Sequence, residues 1–459
     1  MLRSLAIQSK RQFQMKITRR QLGGFAAALP FAGAITAAPA RDPDVVIIGA
    51  GAAGIAAAQI LINGGRRVQV IEAAPRIGGR CFTDTATFGV PFDRGAAWLR
   101  GVDHNPLTGM ARLHAFEIGA SDTNEMLFAN GTAQPRAAND AFERAYFALS
   151  GAFADAAEQE DDVTAASVTP AVTDEESRAW TQTVAAMVGP LDMGVDLQQM
   201  SVKDWFERDD PEPNRMVRQG LGTLVARLGA NMPIAVNTRA RRVSVAQHRV
   251  SVETESGAIS AKAAIVTASI GVLASGAIAF DPGLDASMQA AFGGLQMGLL
   301  SKVALQFTPG SPALAYPDDT LIVPQVRDER GHCFLVRPFG APLAICLTGG
   351  SLAWDLSTQV ESTNVGFARD RLRALLGSKA DQGFIAGTAT DWGTNANILG
   401  AFAAAVPGKW RVRKALAEPI GERVFLAGEA LGLKNIQTVH GAYQSGQRVG
   451  RRVLQLLKV

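Results

Sequence analysis

The stretch that decides the fold is VVIIGAGAAGIAAAQILINGGRRVQVIEAAPRIGGR, residues 45–80. Residues 45–48 form a continuous β-branched run, the pattern of a strand buried on both faces of a parallel sheet. Residues 52–62 have the length and composition of a helix, Asn63-Gly64-Gly65 ends it, and residues 68–71 are a second apolar run. The unit is β-α-β. Within it, Gly49 permits a tight turn, Gly51 lets a pyrophosphate approach the backbone, and Gly54 lets the helix pack closely on the strand, with the phosphates at the helix N-terminus. Glu72, which ends the second strand, is placed to accept a hydrogen bond from a ribose 2′-hydroxyl. It would repel a phosphate there, so FAD or NAD fits better than NADP.

The chain's 459 residues suffice for two or three folding units around a large core. Of its 45 Lys and Arg, six lie in residues 1–40, which hold no acid; the other 39 against 42 acidic residues leave a net charge of about −3. The basicity belongs to the leader, and nothing in the charge calls for a nucleic-acid partner. Within that leader Thr18-Arg19-Arg20-Gln21-Leu22 is a twin-arginine pattern, followed by a mild apolar stretch over 22–37 and an Ala38-Pro39-Ala40 cleavage signal. The apolar stretch is too short and too rich in Gly and Ala to span a membrane. The expectation is a signal peptide over residues 1–40, removed on export by the twin-arginine translocase to the periplasm or the medium, and a start at Met15 would give a more ordinary leader. Cys81, Cys333 and Cys346 have no metal-ligand spacing and, being odd in number, offer no tidy disulfide framework. The five histidines, at 104, 114, 248, 332 and 440, form no ligand pattern either, so no metal site is expected.

Further along, residues 122–209 are acidic, Ala-rich and helical in character, with breaks near Thr169-Pro170 and Gly189-Pro190. Residues 242–267, RVSVAQHRVSVETESGAISAKAAIVT, alternate like a β-meander, and SKVALQF, CFLVRPF and LAICLTG read as antiparallel strands. The last segment is a strand over 424–427, a Gly428-Glu429 turn, and a helix from about Thr438 with a small face at Gly441, Ala442, Ser445, Gly446, Val449 and Gly450. Such a face lets a helix lie against something flat or against another backbone.

Four separated segments carry a resemblance. The first joins GAGAAG, Glu72 and the Gly-Gly-Arg of residues 78–80 to DRGAAWLRG at 93–101; the others are VTASIGVLASGAIAFDPGL at 266–284, MGLLSKVALQF at 297–307, and RVFLAGEALGLKNIQTVHGAYQSGQRVGRRVL at 423–454. In this order they resemble the flavin-containing amine oxidase family, which includes monoamine and polyamine oxidases. The resemblance implies an α/β fold, with a Rossmann-type FAD-binding domain over 41–118, 218–284 and 384–459, interleaved with an α+β substrate domain over 119–217 and 285–383. It implies FAD contacts from Gly49, Gly51, Ala53, Gly54, Glu72, Gly79, Arg80, Ala97, Trp98, the backbone at Val243 (adenine), Gly428, Glu429, Thr438 and Val439. The small face of the last helix is expected beside the isoalloxazine ring. Ala401 stands where monoamine oxidases carry a flavin-binding cysteine, so the FAD should be non-covalent.

For catalysis, Lys302 reads from pattern alone as a solvated strand residue, but it matches the family's lysine that reaches a water beside flavin N5. Of the two aromatic rings that flank the substrate amine in the family, Phe402 supplies the first, and Thr438 stands at the second. Arg100 and Trp392 are the expected substrate contacts. An arginine at 100 would repel a polycation; it is either paired with a structural acid or a pointer to a monoamine or to a substrate bearing a carboxylate or carbonyl. The implied reaction is oxidation of a small-molecule amine to an imine, hydrolysed to a carbonyl compound, with O2 giving H2O2 or a periplasmic electron acceptor taking the electrons. Carbon–carbon desaturation and a flavin protein without turnover are the alternatives, and the resemblance admits a homodimer.

Overall fold

The computed structural model describes residues 42–119, 124–209, 211–328 and 330–458, so the expected signal peptide lies outside the described residues. The opening unit forms as β1 (Val45–Ile48), α1 (Ala52–Asn63) and β2 (Val68–Ile71). With β3 (Ile234–Ala235), β4 (Ala263–Val266) and β5 (Val424–Leu426) they make a five-stranded parallel sheet in the order β5-β4-β1-β2-β3. Every residue of β1 is buried, as its unbroken apolar run requires between two parallel neighbours. The antiparallel meander follows as expected over Ala240–Ala246, Arg249–Thr254 and Gly257–Ala261.

The terminal helix α2 (Val439–Leu456) lies along α1, and this contact explains its small face. A Cβ on Gly446 would stand 2.0 Å from the Ala53 carbonyl oxygen, and one on Gly450 3.1 Å from that of Ala57. The stripe therefore seats α2 on the alanine-rich backbone of α1. The expectation that it faces a flat ring is corrected: only its N-terminal end, at Val439 and Ala442, borders the large cavity described below.

A seven-stranded sheet forms the second body. Its order is Phe384–Ala389, Leu300–Phe307, Leu343–Gly349, His332–Val336, Thr320–Pro324, Asn124–Ala129 and Thr132–Pro135. All neighbours are antiparallel except Thr320–Pro324 with Asn124–Ala129. Two expectations shift here. The region expected to be helical opens with a hairpin over 124–135, and Phe384–Ala389 pairs with the strand that carries Lys302, outside the parallel sheet. Gly189-Pro190 does not break a helix; it lies in a π-helical turn, Met187–Met193, which stops at Gly194 with φ 71°. The helix Asp140–Ala157, capped by Asn139, packs on the neighbouring short helices through edge-on contacts of Phe142 with Trp180 and of Phe153 with Trp205.

Adding one methyl at Gly446 has nowhere to go but into main chain, so Gly446→Ala should destabilise by about 1–3 kcal/mol. A melting temperature equal to that of the unsubstituted protein would show that α1 and α2 are not in this contact.

Candidate active site

A cavity of about 1830 Å³ runs from the β1–α1 turn to the space between the helices and the seven-stranded sheet. Its size exceeds what one drug-sized ligand needs. At the first end, Gly49 has φ 102°, and a Cβ there would meet Thr267 Oγ1 at 2.4 Å; one on Gly54 would meet the Gly49 oxygen at 1.9 Å. Gly51, Ala53 and Gly79 line the cavity, whereas Gly54 lies behind it as the helix-to-strand contact. Glu72 is buried: Oε2 accepts from the Ala50 N–H and Oε1 from the Ala74 N–H, both at 2.8 Å. Its carboxylate thus holds the glycine turn in shape and keeps lone pairs for a ribose hydroxyl.

Midway along, the Glu429 carboxylate joins three segments. Oε1 accepts from Arg80 Nη1 and from the Ala403 N–H, each at 3.1 Å, while Arg80 Nη1 also donates to the Ala401 oxygen at 2.6 Å. Glu429 Oε2 is buried without a partner. A buried carboxylate oxygen is costly unless a donor reaches it, and a hydroxyl-bearing chain laid along the cavity would supply one. The glycine turn, Glu72 and this orphaned oxygen fit a flavin dinucleotide.

Lys302 sits on Leu300–Phe307, only 5% exposed. Reading it as a solvated strand residue fails because this strand is covered on both faces. Its ammonium donates to the Asp93 oxygen at 2.8 Å and the Gly95 oxygen at 2.7 Å, and lies 5.6 Å from the centre of the Trp98 ring. Two of three N–H bonds are used, leaving one for the cavity. Burial brings its pKa down to about 8, against the opposing pull of the Asp93 charge.

Phe402 lines the cavity from Phe402–Ala405. Thr438 lines it too, but its hydroxyl is taken: Oγ1 donates to the Asn435 oxygen at 2.7 Å and accepts from the Gly441 N–H at 3.0 Å, so it caps α2. The polar group at the second flank is therefore spent on the helix. Ala97, Trp98, Gly428, Glu429 and Val439 all border the cavity. Val243 does not: it is fully buried in the core, and Thr238, Arg239 and Ala240 line that end instead. Trp392 borders the cavity with its Nε1 held by the Arg94 oxygen at 3.0 Å.

Arg100 is in an ion pair. Its Nη2 meets Asp192 Oδ1 at 3.0 Å, and Arg208 forks the same carboxylate while reaching Gln437 Oε1 at 3.4 Å. Burial alone would raise the Asp192 carboxyl, but the charges of Arg208 and Arg100 hold it below its usual range. Pairing of Arg100 with an acid is one of the two sequence readings, but its partners at 192, 208 and 437 are too distant along the chain to be named from pattern. The sequence also hides the buried Asp204–Arg413 pair, at 2.9 Å, which grips the Phe402 strand through the Ala405 N–H and the Ala403 oxygen. Beyond these residues the chamber is walled by Met126, Leu300, Leu321, Val323 and Leu347.

The profile of the flavin containing amine oxidoreductase family matches residues 52–454, and the chain belongs to that family. It is 27% identical over 453 residues to polyamine oxidase 5 of Oryza sativa subsp. japonica, covering 92% of this chain and 90% of that one. In structure it is similar to cyclohexylamine oxidase from Brevibacterium oxydans, with a TM-score of 0.75 at 20% identity over 91% of this chain and 100% of that one. A putrescine oxidase bound to putrescine is similar too, with a TM-score of 0.74 at 17% identity over 90% of this chain and 99% of that one. The fold is that of the amine oxidases, and the protein is an FAD-dependent amine oxidase whose FAD is non-covalent.

Glu429→Ala removes the carboxylate that joins Arg80 to the Phe402 strand. FAD binding, measured by titrating apoprotein with FAD, should weaken at least about tenfold; an unchanged Kd would exclude Glu429 from the flavin site.

Proposed function

We propose that this enzyme oxidises an apolar monoamine to an imine and returns the electrons to O2 as H2O2, in the periplasm or outside the cell. Bound FAD supplies the two-electron acceptor for the hydride of the amine's α-carbon. The chain's own residues orient the substrate: Phe402 offers one aromatic face, and Met126, Leu300, Leu321, Val323 and Leu347 receive an apolar body. Arg100 is the acid-paired arginine, held with Arg208 on the Asp192 carboxylate, so the apolar wall is what supports a monoamine over a polyamine.

The observation that carries the amine-oxidising reading is the buried Lys302 ammonium, which lines the cavity with two of its three N–H bonds engaged. In this reading it orients a water beside the flavin, serving reoxidation or imine hydrolysis and taking no hydride. A panel of amines mixed anaerobically with the enzyme tests the reaction class: an apolar monoamine should bleach the flavin, and air should restore it. Bleaching by no amine would remove the enzyme reading, while a flavin that stays reduced for minutes in air would favour transfer to a periplasmic carrier.

Lys302→Met keeps the apolar stem and removes the charge. The reductive half-reaction should stay near normal, and reoxidation should slow at least tenfold, equivalent to about 1.4 kcal/mol of barrier. Lys302 carries its proton below about pH 8 and loses it above, so reoxidation that uses the ammonium should fall as pH rises through that value. A flat profile there would argue for a structural lysine.

Export rests on the Arg19-Arg20 pair and the small-residue site at 38–40. Replacing both arginines by Lys should leave the enzyme in the cytoplasmic fraction; undiminished periplasmic activity would refute twin-arginine export.

A further inference from the structure

The Lys302 ammonium rests on main chain, and that main chain has to be held by something else. Its two acceptors, the oxygens of Asp93 and Gly95, flank Arg94, whose own oxygen accepts from Trp392 Nε1. Three successive carbonyls thus turn to side-chain donors.

The anchor is the Asp93 side chain. Oδ1 accepts from Thr83 Oγ1 at 2.5 Å and from the Gly222 N–H at 3.2 Å, and Oδ2 from the Leu221 N–H at 3.0 Å. Leu221 and Gly222 open the helix Leu221–Gly229, whose own cap residue, Gly220, has no side chain to offer. Thr83 Oγ1 also takes the Thr223 N–H at 2.9 Å. Asp93 and Thr83 together satisfy the first three N–H groups of that helix, a capping role supplied from a distant segment.

We propose that Asp93 is the positioning residue for Lys302: pinned by Thr83 and the start of the helix Leu221–Gly229, it fixes the carbonyl pair that carries the ammonium and sets a carboxylate beside it. The proposal rests on Lys302 acting in reoxidation. Among the groups packed round the lysine, the Trp98 ring and Leu347 carry no charge, and Arg94 is engaged with Asp84, Thr388 and the Ala389 oxygen. The attraction of Asp93 opposes the burial that lowers the affinity of Lys302 for its proton.

Asp93→Asn keeps the shape, removes the charge and sets an NH2 donor against one of the helix N–H groups. In apoprotein labelled with 13C at the lysine ε-carbon, the Lys302 resonance should titrate below the wild-type value, with proton binding about tenfold weaker or more. In the FAD-loaded enzyme, reoxidation at neutral pH should slow severalfold, and in a Lys302→Met background the same substitution should add almost nothing. An unshifted titration, or an equal slowing with and without Lys302, would overturn the proposal. If Lys302→Met alone leaves reoxidation unchanged, the role given to the lysine fails, and the titration still decides whether Asp93 governs it. Should Asp93→Asn not fold, Thr83→Val loosens the same carboxylate while keeping its charge. Slower reoxidation that depends on Lys302 would then support the proposal, and an unchanged rate would overturn it.

Discussion

A buried ammonium needs acceptors, and much of this molecule is arranged to give Lys302 two. Moving a charged amine out of water is costly unless hydrogen bonds replace the lost hydration. Here they come from the Asp93 and Gly95 oxygens, in a segment that no long strand supports. That segment is held by the helix Leu221–Gly229 through Asp93 and by Trp392 through the Arg94 oxygen. The lysine itself comes from the seven-stranded sheet. Its geometry therefore depends on elements from both sides of the cavity, and any slip between them would alter its contacts.

The flavin end obeys a different constraint, close approach of backbones. Gly54 against Gly49, and Gly446 against Ala53, leave no room for a side-chain carbon. The first contact shapes the phosphate turn, and the second clamps α2 behind α1, so the residues at the start of α2 reach the cavity from a fixed position. Glu429 then ties Arg80, Ala403 and, through Arg80, Ala401 together at the middle of the cavity. Its second oxygen, buried and unpaired, marks where a bound group has to donate.

What was legible in the sequence was local. The β-α-β unit declared itself through its continuous apolar runs and glycine spacing, which depend on neighbours within a few turns. The hairpin over 124–135 was also written locally, in Asn130-Gly131, both at positive φ, but the surrounding alanines and acids drew the reading toward helix. Lys302 was illegible from pattern because Ser301, Lys302 and Val303 are all buried, so alternation along the strand says nothing of exposure. The small face of α2 signals a close contact without naming the neighbour, since a glycine stripe suits a ring or a backbone equally, and here it meets the backbone of α1. The Arg100–Asp192–Arg208 group brings Arg100 to an acid 92 positions further on, and only the folded chain brings them together.

The most direct test of the central claim is stoichiometric. Purified FAD-loaded enzyme is supplied with a bleaching monoamine in air, and amine consumed, carbonyl formed and H2O2 released are measured together. The account predicts one peroxide and one carbonyl product for each amine. Amine oxidation that releases no peroxide and runs only with an added electron carrier would contradict it.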